Sequence, residues 1–153
     1  MKIVINTCFG GYSLSSKAVK RLAELQGKAC YFFLDGIGDK PFREVDVDNC
    51  DSMFWSAFTV KDPNVLNKGD KNWGFLSPKE KDDYNKLYKS LHLDRAPSDR
   101  TDELLIQVIE ELGKEANGIC ADLKIIEIPD DIEYEITEYD GLEKVEEIHK
   151  SWS

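Results

Sequence analysis

Residues 132–139 read IEYEITEY, and this octapeptide decides the class of fold. Ile132, Tyr134 and Ile136 alternate with Glu133, Glu135 and Thr137. Successive side chains of a strand point to opposite faces, so the pattern predicts a strand with one packed and one wet face. A half-solvated strand belongs in an antiparallel sheet, because parallel sheets are covered on both sides. Immediately upstream, LKIIEI at 123–128 reads as another strand, joined through a turn at Pro129, Asp130 and Asp131. Downstream, Asp140 and Glu143 have the Asp-x-x-Glu spacing of a helix cap. Leu142, Val145, Ile148 and Trp152 would then line one side of a terminal helix.

Further upstream, Thr101 is placed to cap a helix with Asp102 and Glu103 in its first turn, where the helix dipole favours acids. Leu104, Leu105, Val108, Ile109 and Leu112 form its apolar stripe, and Asn117-Gly118 is its expected stop. Ser77 and Glu80, with Pro78 between them, form a capping box that predicts a helix over 78–90. Tyr84, Leu87, Tyr88 and Leu91 give this helix an apolar side. The segment 35–76 is rich in turn residues, with short strands expected at 42–47 and 54–59. At the N-terminus a strand over 2–7 leads through Gly10-Gly11 into a helix. Ser15 or Ser16 is its N-cap, Gln26 its end and Gly27 its stop, before a strand at 29–34. Strand, helix and strand read as a βαβ-type or split unit. The sum is a single α+β domain over 1–153, a mostly antiparallel sheet with helices packed on it.

The bulk numbers agree with one soluble domain. The chain has 153 residues, 41% apolar and 33% charged, enough for an ordinary core and too ordered a composition for a disordered chain. A formal charge of -10 disfavours nucleic acid and anionic membranes as partners. No apolar run approaches the roughly 20 residues of a membrane span. The opening run meets Asn6 and Thr7 at once, so it reads as a first strand rather than a signal peptide. Cys8, Cys30, Cys50 and Cys120 are widely spaced, which gives no zinc or disulfide pattern and points to a reducing cytoplasm.

The stretch CFGGYS, residues 8–13, lies between a strand and a helix start, where backbone N–H groups can cradle a phosphate. It lacks GxGxxG, GxxxxGK[ST] and the GxSxG nucleophile elbow, so a plain turn and a ligand cradle both stand. Cys8 would be a nucleophile only beside a base, and the chain has just His92 and His149. No catalytic residue, metal or cofactor is expected. Arg95 and Arg100 sit in HLDRAPSDRTDE, residues 92–103, just before a helix start whose dipole end is already positive. Either an anion holds them there, or Asp94, Asp99, Asp102 and Glu103 pair with them. The acids of 133–138 and 143–147 read as solvated faces or as a mimic of a phosphate backbone. The aspartates of 44–51 lack the spacing of a calcium loop. Phe54, Trp55, Phe58, Trp73 and Phe75 either fill a core or stack on a base.

Three stretches, MKIVINTCFGGYSLS, RTDELLIQVIEELGKEANG and LKIIEIPDDIEYEITEYDG with the terminal EEIHKSW, together resemble a family of small phage- and prophage-encoded proteins. They cover roughly half the chain, and the middle, from about residue 35 to 95, has no counterpart. Asp102-Glu103 stands where members often carry Asp-Pro. The resemblance implies an antagonist of host defence, of a type that looks like the oligomeric anti-Thoeris proteins that sequester cyclic ADP-ribose signals. The expected ligand site is Cys8, Phe9, Gly10, Gly11 and Ser13 with Arg95 and Arg100, aromatics stacking on adenine and arginines holding pyrophosphate. Such a protein would bind a nucleotide signal without turnover, as a homo-oligomer in the host bacterial cytoplasm. The alternative is an acidic protein-interaction module that inhibits a host protein.

Overall fold

The β-branched run Ile3, Val4 and Ile5 forms β1 (Lys2–Asn6) in a computed structural model that describes residues 1–34, 43–50, 54–62 and 73–149. β1 pairs antiparallel with β6 (Leu123–Glu127), Val4 opposite Ile125. Helix α1 (Ser16–Leu25) follows, its N-cap Ser15 accepting the Ala18 N–H at 3.2 Å. A four-stranded antiparallel sheet runs β3 (Arg43–Val45), β2 (Tyr31–Leu34), β4 (Trp55–Phe58), β5 (His92–Leu93). Helix α2 (Pro78–Leu91) carries the predicted capping box, and α3 (Glu103–Leu112) carries the predicted apolar stripe. β7 (Tyr134–Tyr139) and β8 (Leu142–Glu147) close the chain as a hairpin.

Alternation along the strands sets the layers. Ala18, Val19 and Leu22 of α1 meet Leu105, Val108 and Ile109 of α3 in one core. Val4 and Leu123 floor it from the two-stranded sheet, and Phe32, Trp55 and Ala57 wall it from the four-stranded one. Phe33 and Phe58 point the other way, into a smaller cluster with Tyr31 and with Tyr84, Tyr88 and Leu91 of α2. Burying each such large side chain contributes about 1.5–3 kcal/mol. The fold is α+β, and every strand pairing is antiparallel.

Several expectations are corrected. The terminal helix is strand β8. Asp140 (φ 51°) and Gly141 (φ 87°) both have positive φ, as a two-residue type I′ hairpin turn requires. The register then sets Tyr139 opposite Leu142, and Asp140 is spent on the turn rather than on a cap. Trp152 lies outside the described residues. β1 and β2 fall in different sheets, so the opening is not a βαβ unit. Asp102, not Thr101, caps α3, and its Oδ1 accepts the Leu104 N–H at 2.9 Å. That helix stops at Leu112, where Gly113 takes φ 56°, and a 3-10 turn runs Gly113–Ala116. The strand expected at 42–47 shortens to β3, with a 3-10 turn at Val47–Asn49, and much of 35–76 lies outside the described residues.

Two glycines test how far this turn matters. Gly27 has φ 69° and open space around it, so Gly27→Ala is expected to cost about 1–2 kcal/mol, the left-handed penalty alone. A Cβ on Gly141 would sit 2.2 Å from the Gly11 nitrogen in addition to the same penalty. Gly141→Ala is therefore expected to lower the urea midpoint clearly further than Gly27→Ala.

Candidate functional site

A cleft of about 410 Å³ opens at the head of α1. Its floor is the N-cap. Ser15 donates to the Glu115 carbonyl, and Ser16 donates to the Val47 carbonyl at 2.8 Å. The first turn of α1 has no acidic residue. It carries Lys17 instead, which pairs with Glu115 at 3.1 Å. Arg95 enters from the loop after β5, its guanidinium 4.2 Å from the centre of the Trp55 ring. Its Nη1 donates to the Trp55 carbonyl at 3.2 Å, and its own carbonyl accepts the Leu14 N–H at 2.7 Å. Lys114 and Asn117 complete the rim. Among the described residues three basic and two acidic side chains line the cleft, a net positive balance in a chain of charge -10.

CFGGYS lies behind this wall and does different work. Asn6, fully buried, donates Nδ2 to the Cys8 carbonyl at 2.7 Å and to the Gly141 carbonyl at 2.6 Å. Its Oδ1 accepts the Asp122 N–H at 2.8 Å. Gly10 donates its N–H to the Asp140 carbonyl at 3.0 Å, so that amide is spent inside the protein. A Cβ on Gly10 would come within 2.7 Å of the Cys120 Cβ. Ser13 accepts the Gly118 N–H at 2.9 Å, and only a glycine fits there, since a Cβ would fall 2.0 Å from Ser13 Oγ. Cys8, Phe9, Gly10 and Gly11 thus belong to a joint between three loops, and of the expected ligand set Arg95 alone lines the cleft.

Arg100 is turned inward. Its Nη2 and Nη1 donate to Glu143 Oε1 and Oε2 at 2.8 and 3.0 Å, and Nη1 reaches the Val4 carbonyl at 3.3 Å. The guanidinium lies 3.2 Å from the centre of the Tyr12 ring. Glu143 also accepts the Asn6 N–H at 2.8 Å. Arg100 is therefore neither an anion ligand nor a partner of the nearby acids. Its partner is Glu143, which lies in strand β8 and not in the helix cap expected from its Asp-x-x-Glu spacing. Arg95 and Arg100 do not act as a pair.

The aromatics divide. Trp55 and Phe58 are core, while Phe54 and Phe75 are exposed. Among the described residues no group of three or more His, Cys, Asp or Glu is placed to hold a metal, and no helix is long and apolar enough to cross a membrane. Comparison with known protein families, curated proteins and solved structures finds no match.

Two predictions follow from the inward cluster. Arg100→Met should cost about 3–5 kcal/mol in urea unfolding, because it strands a buried carboxylate, and adding Glu143→Leu should restore part of the loss. Burial, aided by the charges of Glu143 and Asp94 and opposed by Arg100, pushes the Tyr12 phenol up to about 12 from 10.0. The native state then keeps a proton that the unfolded chain releases above pH 10. That stability is intact below pH 10 and drains as pH rises through 12. Tyr12→Phe should flatten this alkaline loss and leave stability at pH 7 nearly unchanged, since the hydroxyl has no hydrogen-bond partner.

Proposed function

We propose that the protein acts by binding rather than by chemistry, holding a small anionic ligand in the cleft at the head of α1. The supporting observation is Arg95, fixed over Trp55 in a locally positive pocket whose floor is the N-terminal end of a ten-residue helix. Unpaired N–H groups at such an end favour negative charge. The volume, about 410 Å³, suits a nucleotide-sized molecule. With the resemblance to phage-encoded proteins, the reading extends to sequestration of a nucleotide-derived immune signal, cyclic ADP-ribose-like, in a host bacterial cytoplasm. All four cysteines are free, in keeping with a reducing compartment.

A thermal-shift panel of cyclic ADP-ribose isomers, cyclic di- and trinucleotides and NAD tests this. A ligand at 100 times its dissociation constant adds about 2.7 kcal/mol of stability. Arg95→Ala is expected to weaken the hit at least tenfold and Arg100→Met to lower stability instead. An unchanged affinity in Arg95→Ala, or no shift across the panel, would overturn the proposal. A ligand recovered in altered form would make the protein an enzyme.

A further inference from the structure

We propose that the joint where three loops meet, continued along the open face of the β7–β8 hairpin, docks a basic surface of another protein. Phe9 is 58% exposed, Ile119 60% and Tyr139 78%. Each is one residue from a backbone contact of the joint, where Gly10 meets Cys120 and Asp140, and Gly141 meets Gly11. The joint is rigid. Asn6 bridges two of the loops, and Glu138 accepts the Gly141 N–H within the turn. Aromatic side chains on preorganised loops lose little freedom on binding, which suits them as anchors.

The hairpin register fixes what adjoins Tyr139. On its face Tyr139 lies opposite Leu142, Thr137 opposite Lys144, and Glu135 opposite Glu146. The other face carries Ile136, Val145 and the inward Glu143. Like charges directly across a strand pair destabilise it. Glu135 and Glu146 are both exposed, and Thr137 Oγ1 donates to Glu146 at 2.7 Å, fixing the carboxylate in place. Lys144 is the one cation on this face of the hairpin. Among the described residues the surface therefore runs from apolar at the turn to a net-acidic far end, two glutamates beside one lysine. Its complement is an apolar contact flanked by lysines or arginines. A second copy would bring the same acids, and a nucleic acid would bring phosphates, so charge disfavours both.

The test uses the full chain as bait for a displayed library of random 16-residue peptides. Selected peptides should combine lysine or arginine with an apolar residue, and their synthetic forms should bind less tightly as salt rises. Affinity should fall at least tenfold in Phe9→Ser/Tyr139→Ser and in Glu135→Gln/Glu146→Gln. It should hold in Asp82→Asn/Asp83→Asn, which removes the same charge from exposed positions on α2. Urea midpoints of the variants should match the parent or, for Glu135→Gln/Glu146→Gln, exceed it. The proposal is overturned if no peptide is enriched, if enriched peptides lack basic residues, or if the α2 control loses binding equally. It is also overturned if sedimentation shows a dimer that Phe9→Ser/Tyr139→Ser dissolves, which would assign the face to a second copy.

Discussion

The Arg100–Glu143 pair is the interaction on which the arrangement of the chain's two ends depends. Its side chains are 16% and 7% exposed, and two charges so far from water are costly unless every hydrogen-bonding position is used. Here they are used. Arg100 forks onto both oxygens of Glu143 and onto the Val4 carbonyl, and Glu143 also takes the Asn6 N–H. The Arg100 carbonyl accepts the Val4 N–H at 2.9 Å. The outer edge of β1 is thus closed by one arginine and one glutamate instead of by a neighbouring strand. An open edge would invite pairing with another chain, and this cluster covers it.

From that fixed edge the loops are aligned. Asn6 sits at the end of β1 and reaches Cys8, Gly141 and Asp122, so the glycine loop, the hairpin turn and the approach to β6 share one buried amide. The glycines at 10, 118 and 141 allow the backbones to touch. What resembles a phosphate cradle in sequence takes part in a structural joint, because the Gly10 amide bonds to the Asp140 carbonyl and a side chain at Gly10 would meet Cys120.

The charges are then segregated. Among the described residues basic side chains outnumber acids around Arg95 at the head of α1, while acids outnumber the single lysine on the open hairpin face. Ile119 borders the cleft and is also exposed beside the joint, so the two proposed surfaces adjoin. On the two proposals, this division assigns a small anion to one side and a cationic surface to the other, within a chain of strongly negative net charge.

Local features were legible in the sequence because their physics is local. The Ser77–Glu80 capping box, the cap at Ser15 (one of two serines that fit it), the 104–112 stripe and the alternating strand of 132–139, which forms over Tyr134–Tyr139, each involve residues a few positions apart, and each took shape locally. Asp140-Gly141 was legible too, as a hairpin turn between alternating segments. The Asp-x-x-Glu spacing also fits a helix cap, and only pairing with β7 distinguishes the two. The candidate site was not legible as a constellation. Asn6 and Glu143 are 137 residues apart, and Arg100 and Glu143 are 43 apart. Composition makes an arginine before a helix look available to an anion. Whether it faces solvent or a buried carboxylate depends on where β8 packs against β1, and only long-range tertiary packing decides that. The sequence by itself determined the elements, their apolar faces and the acidic balance. The tertiary structure decided which arginine was consumed inside, which lined a cleft, and what the glycine loop was for, because burial of a charge requires a partner brought from elsewhere in the chain.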